Sequence, residues 1–128
     1  MNSIDKKAMP VDIVEDEFRA EVINSKQPVL VEFWAPWSRP CSILDATLHE
    51  IAGERPGAVK VVRVNADSHP DLSLWYDIQS VPTLLFFWEG EPRSRIVGTA
   101  TKEAILAKLR LFCGPGPANS DGKSCSWT

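Results

Sequence analysis

Val29-Leu30-Val31-Glu32-Phe33-Trp34-Ala35-Pro36-Trp37-Ser38-Arg39-Pro40-Cys41 is the stretch whose reading decides the fold. Its first seven residues form a nearly continuous apolar run, as expected of a strand covered on both faces. A turn follows, and then a helix from about Pro40 to Glu54 with Leu44, Leu48 and Ile51 on one stripe. A C-x-x-C at such a strand-to-helix junction reads as a dithiol redox site. Here the first position of that pair is Ser38, and a hydroxyl cannot form a disulfide. The chain carries the setting of a dithiol with only one of its sulfurs.

Outward from this junction, strands and helices alternate and then give way to a hairpin. A short strand over about 11–14 precedes a helix opened by Glu15-Asp16-Glu17, whose charges complement the positive end of the helix dipole. Residues 58–65 form a valine-rich strand, and Ser68 with Asp71 resembles a capping box, with Pro70 in the first turn of a short helix through Tyr76. Strands over 83–88 and 93–97 flank the turn Glu89-Gly90-Glu91-Pro92. The last helix starts near Lys102 and stops at Cys113-Gly114-Pro115. This order predicts an α/β domain with a mixed sheet between helices. Residues 1–10 read as an N-terminal extension, 11–113 as the domain, and the Gly-, Pro- and Ser-rich 114–128 as a disordered tail.

Composition narrows the function. The 128 residues suffice for one domain, and the net charge of −3 with scattered basic residues argues against nucleic acid as a partner. The start of the chain lacks the apolar core of a signal peptide and no apolar run approaches membrane-spanning length, so a cytoplasmic, reducing location is expected. Three cysteines, an odd number without repeated spacing, are no disulfide framework, and His49 and His69 lack zinc-ligand spacing. No metal and no cofactor is expected.

The chain from about Val11 to Phe112 resembles the thioredoxin family. The match rests on Val29 to Ala35, Trp37-Ser38-Arg39-Pro40-Cys41, Val64-Asn65-Ala66-Asp67, Val81-Pro82-Thr83 and Gly98, all in the family's order. The resemblance implies a central sheet of about five strands flanked by four helices. It also implies thiol–disulfide exchange with protein disulfides or thiols, with a thioredoxin reductase as a further partner. The departures are specific: Ser38 stands for the first catalytic cysteine, Arg39-Pro40 for Gly-Pro, Glu32 for a buried aspartate, and Ala46 for a helix proline.

Each residue has a plainer role beside the one the resemblance implies. Ser38 is a favoured helix N-cap, or it replaces a nucleophilic thiol by evolution or by deliberate substitution. Cys41 is a small buried hydrophobe, or the shielded resolving thiol. Glu32 is a polar residue at a strand margin, or the carboxyl beneath Cys41, where desolvation raises its pKa and Arg63 on the neighbouring strand opposes the rise more firmly than a lysine would. Only about 5–6% of X–Pro bonds are cis, whereas the resemblance implies a cis Val81–Pro82 bond facing the thiol. Trp34, Trp37, Arg39, Pro40, Val81, Pro82 and Gly98 then form the surface that receives an extended peptide, and Trp75 and Trp88 serve packing. The leading expectation is a one-cysteine oxidoreductase that cannot cycle as a dithiol. The alternatives are a redox-silent peptide-binding module on the same surface and a plain structural domain. Cys113 is expected on the buried stripe of the last helix and Cys125 in the exposed tail, giving a monomer that forms Cys125-linked dimers on oxidation.

Overall fold

The computed structural model describes residues 9–54 and 58–113, with the side chains of 112 and 113 left aside. Most of the N-terminal extension, the tail with Cys125 and its expected dimer bond, and the burial of Cys113 lie outside the described residues.

Strand β1 (Val11–Asp12) leads into α1, an α-helix over Glu15–Phe18 that widens into a π-helix over Arg19–Ile23. Glu15, Asp16 and Glu17 occupy the first turn of α1, and Glu17 Oε1 accepts the Val14 backbone N–H at 3.0 Å. Next come β2 (Val29–Trp34), α2 (Arg39–Glu54), β3 (Lys60–Asn65), α3 (Pro70–Trp75), β4 (Thr83–Trp88), β5 (Glu91–Val97) and α4 (Lys102–Cys113). The strands form one mixed sheet in the order β1-β3-β2-β4-β5. β3 runs parallel to β1 and β2, while β4 runs antiparallel to β2 and β5. With Ala46 in place of a proline, α2 runs unbroken over 16 residues.

Side chains alternate across a strand, so β2 splits between two cores. Val29, Val31 and Phe33 join Val62, Val64, Leu85 and Phe87 beneath α1 and α3. Leu30 joins Val61, Leu84 and Phe86 beneath α2 and α4. Glu32 shares that second face.

Three local expectations are corrected. β1 spans two residues rather than four. The hairpin turn is Glu89-Gly90 alone, with φ of 56° and 82°, so Glu91 and Pro92 already pair with Trp88 and Phe87. Two consecutive positive φ values make the type I′ geometry that suits strand twist. Finally, α3 is not opened by Ser68. Its N-cap is His69, which makes no side-chain cap bond, and Asn65 Oδ1 instead accepts the backbone N–H groups of Asp67 and Ser68. Asparagine fits there because its short amide carbonyl reaches the backbone two residues on.

Candidate functional site

The end of β2 and the start of α2 bring Ser38 and Cys41 together. A tight turn closed by the Ser38 N–H on the Ala35 carbonyl at 3.1 Å connects the two elements. Ser38 immediately precedes the helix, and Cys41 is the third residue within it. Both are buried, at 5% and 4% exposure. Arg39 and Pro40 between them are exposed, as is Trp37 at 71%. The Trp37 ring is tied down by its Nε1–H, which donates to Asp67 Oδ2 at 2.8 Å.

The Val81–Pro82 bond is cis. The Pro82 carbonyl accepts the Gly98 N–H at 2.8 Å, so the loop before β4 is stitched to the end of β5. Gly98 has φ of 95°, and a Cβ placed there would meet nothing within 4 Å. Backbone conformation, not crowding, is therefore what asks for glycine. Trp37 and Val81 line a shallow groove of about 370 Å³ together with Ala66, Ser73, Leu74 and Ser80.

Glu32 is fully buried, and Arg63 reaches it from β3, with Nε 3.3 Å from Glu32 Oε1. The same Nε lies 3.1 Å from Asp45 Oδ1, a residue of α2 that the sequence reading passed over. Arg63 Nη1 also pairs with Asp12 Oδ1 at 2.9 Å. Burial pushes the Glu32 carboxyl up to about 8, the negative charge of Asp45 adds to the rise, and Arg63 only partly opposes it. The two expected influences are both present, desolvation raising Glu32 and Arg63 opposing the rise, and the unexpected Asp45 carboxylate adds to the rise. The groups acting on Glu32 are Asp45 and Arg63, and Cys41 is not among them. The spacing Cys41–Asp45, four residues on one helix, was the available signal for the missed carboxylate.

Two tryptophans depart from expectation. Trp34 carries the Arg63 guanidinium over its ring, 4.2 Å from the centroid, instead of joining an open apolar surface. Trp75 is 80% exposed and does not serve the core, whereas Trp88 packs against the α2–α4 side as expected.

A parallel-to-antiparallel sheet with a buried thiol at the head of α2 and a cis-proline before β4 defines a thioredoxin-fold domain of the thiol–disulfide oxidoreductase class. Residues 9–111 match the Thioredoxin family. The chain is 42% identical over 98 residues to a thioredoxin of Griffithsia pacifica, covering 77% of this chain and 90% of that protein. It is 36% identical over 104 residues to a thioredoxin of Mycobacterium tuberculosis, covering 81% and 90%. It also matches the bifunctional thioredoxin reductase/thioredoxin of Mycobacterium leprae at 34% over 109 residues, covering 85% of this chain and 24% of that protein. The chain belongs to the thioredoxin family.

Proposed function

We propose that this protein is a one-thiol member of the family, acting on protein disulfides through Cys41 with Ser38 in the place of the attacking cysteine. The observation that carries the reading is the pair of buried positions at the head of α2, of which only Cys41 bears sulfur. The Cys41 thiolate attacks a substrate disulfide, one S–S bond breaks, a mixed disulfide forms, and the other substrate sulfur leaves as a thiolate. Ser38 cannot displace the captured substrate, so release requires an external thiol. Trp37, Arg39, Pro40, Val81, Pro82 and Gly98 form the docking surface for the substrate chain, and Glu32 with Arg63 serves the proton traffic of Cys41. A thioredoxin reductase is the second partner we assign, supported by the relative whose name joins the two proteins. A reducing, cytoplasmic setting keeps Cys41 available.

The test is turnover. The protein should not accelerate reduction of a model protein disulfide by dithiothreitol above background, and Ser38→Cys should do so strongly. Catalysis by the unaltered chain, or none after the substitution, overturns the reading. The exposed Trp37 and the groove beside it favour a second reading, a redox-silent peptide-binding module. Partner binding that survives Cys41→Ala and resists reductant selects that one.

A further inference from the structure

Glu32 Oε2 and Asp45 Oδ1 are both buried without a hydrogen-bond partner. Leaving buried polar atoms unpaired is costly, and such atoms in a folded protein ask for an explanation. Here one nitrogen touches both carboxyl groups: Arg63 Nε lies 3.3 Å from Glu32 and 3.1 Å from Asp45. That nitrogen has a single hydrogen, which it gives to Glu32 Oε1. Asp45 Oδ1 gains charge attraction from Arg63 but no hydrogen bond. Two carboxylates held this closely cannot both ionise cheaply, and one proton between them removes the repulsion.

We propose that Asp45 is the positioning partner of Glu32, the two carboxyl groups sharing one proton between β2 and α2 and exchanging it with Cys41. This rests on the reading of Cys41 as the reacting thiol. Cys41 and Asp45 lie one helical turn apart on the same side of α2, with buried Leu44 between them in sequence. The thiol gives its proton to the ionised pair, which then holds the shared one. The resulting thiolate attacks the substrate disulfide, the S–S bond breaks, and the departing substrate thiolate takes a proton back. Protons and electrons balance without an added reagent.

The charged and titratable groups around the pair come from three elements. β3 contributes Arg63, and through it Asp12 of β1; α2 contributes Asp45, Cys41 and the exposed His49, whose Nδ1 lies 3.2 Å from the Asp45 backbone carbonyl. β4 presents Leu84, and α4 presents Ile105 and Leu109, all apolar. Asp45 is the more exposed acid, with its side chain 26% accessible against none for Glu32. It therefore gives the buried proton a route to water.

Carboxyl carbon NMR on the whole protein, with labelled glutamate and aspartate, tests the sharing directly. The Glu32 and Asp45 carboxyl signals should move together in one step in the weakly alkaline range. Asp45→Asn should lower the Glu32 step by about one pH unit or more and remove the matching step from the pH profile of Cys41 alkylation. An Asp45 carbon that stays still through the Glu32 step overturns the proposal, as does a Glu32 step unmoved in Asp45→Asn. Should Asp45→Asn not fold, the joint movement in the unaltered protein decides alone. Failure of Cys41 to capture disulfides while the carboxyl signals behave as expected overturns the proposed function and upholds the pair.

Discussion

On β2, Val29, Val31 and Phe33 enter a core that, among the described residues, holds no charged side chain, while Leu30 and Glu32 enter one that does. Beneath α1 and α3 the contacts are apolar and aromatic. Phe18, Tyr76 and Phe87 meet pairwise with ring centroids 5.5–5.8 Å apart, two of the three contacts edge-on. Beneath α2 the apolar packing of Leu44, Leu48 and Ile51 gives way, at the end nearest Cys41, to Glu32, Asp45 and Arg63. The same strands thus supply a face that only stabilises and a face that gives up some stability to hold a titratable group beside Arg63 and Asp45. Buried charge in a family fold is therefore best sought where packing is locally least apolar.

The largest effect should come from the apolar face. Phe87→Ala removes the ring shared by Phe18 and Tyr76 and should cost about 3–5 kcal/mol in chemical denaturation. The loss should be the same at pH 6 and pH 8, since nothing titratable is buried beside it except the Tyr76 hydroxyl. A loss that varies between those pH values would show that the two faces are electrostatically coupled through the sheet.

Arg63→Met strikes the other face and should cost roughly 2–3 kcal/mol, below the range for breaking a fully buried pair because the arginine is partly exposed. It strips Glu32, Asp45 and Asp12 of their common cation. The signature is directional: with the lowering influence gone, Glu32 should titrate still higher, read by its carboxyl carbon. A fall instead would mean that Arg63 acts on Glu32 by shielding it from water, not by charge.

Glu32 also writes itself into the pH dependence of stability. Its carboxyl lies at about 8 in the folded protein against 4.5 for an ordinary glutamate. The folded state therefore keeps a proton that the unfolded chain releases. Its contribution is complete below about 4.5 and is lost as pH rises through about 8. Glu32→Gln should abolish that decline, so the difference between the two proteins should change by roughly 2 kcal/mol between pH 6 and pH 8. Parallel curves would place the Glu32 titration in the ordinary carboxylate range.

How these faces read in the sequence follows from what each depends on. Apolar periodicity is local, so the strand at 29–35, the stripe Leu44-Leu48-Ile51 and the order of elements were all legible. The π-helix over Arg19–Ile23 was not, because Val22 and Phe18 satisfy an α-helical stripe equally well and nothing in Arg19 to Asn24 marks the wider turn, in which the Asn24 N–H reaches the Arg19 carbonyl at 2.9 Å. The Asp45 contact was missed because it joins residues 13 apart on β2 and α2 and a third on β3. Such a contact depends on how helix and sheet are set together. Trp75 was assigned to packing on its size alone, but α3 buries Leu72 and leaves Trp75 exposed, an orientation set by how the helix docks on the sheet.

The smallest effect belongs at the rim of the apolar face, where Lys60 of β3 meets the π-helical end of α1. Lys60 Nζ donates to the Glu21 carbonyl at 3.0 Å and to Glu21 Oε1 at 3.1 Å. Both side chains are well hydrated, so the ion pair alone should contribute less than about 1 kcal/mol. The carbonyl bond differs in kind, since the last carbonyls of a helix lack partners within it and a nearby lysine can satisfy one. Glu21→Gln removes only the ion pair, whereas Lys60→Met removes both bonds. In low salt both should destabilise, Lys60→Met by slightly more. At about 1 M salt, where the screening length falls to roughly 3 Å, the Glu21→Gln effect should vanish while about 0.5 kcal/mol of the Lys60→Met effect persists. If the two effects disappear together, the carbonyl bond contributes nothing and the rim is held by charge alone, which would make it a weak copy of the Glu32 side of the sheet instead of its opposite.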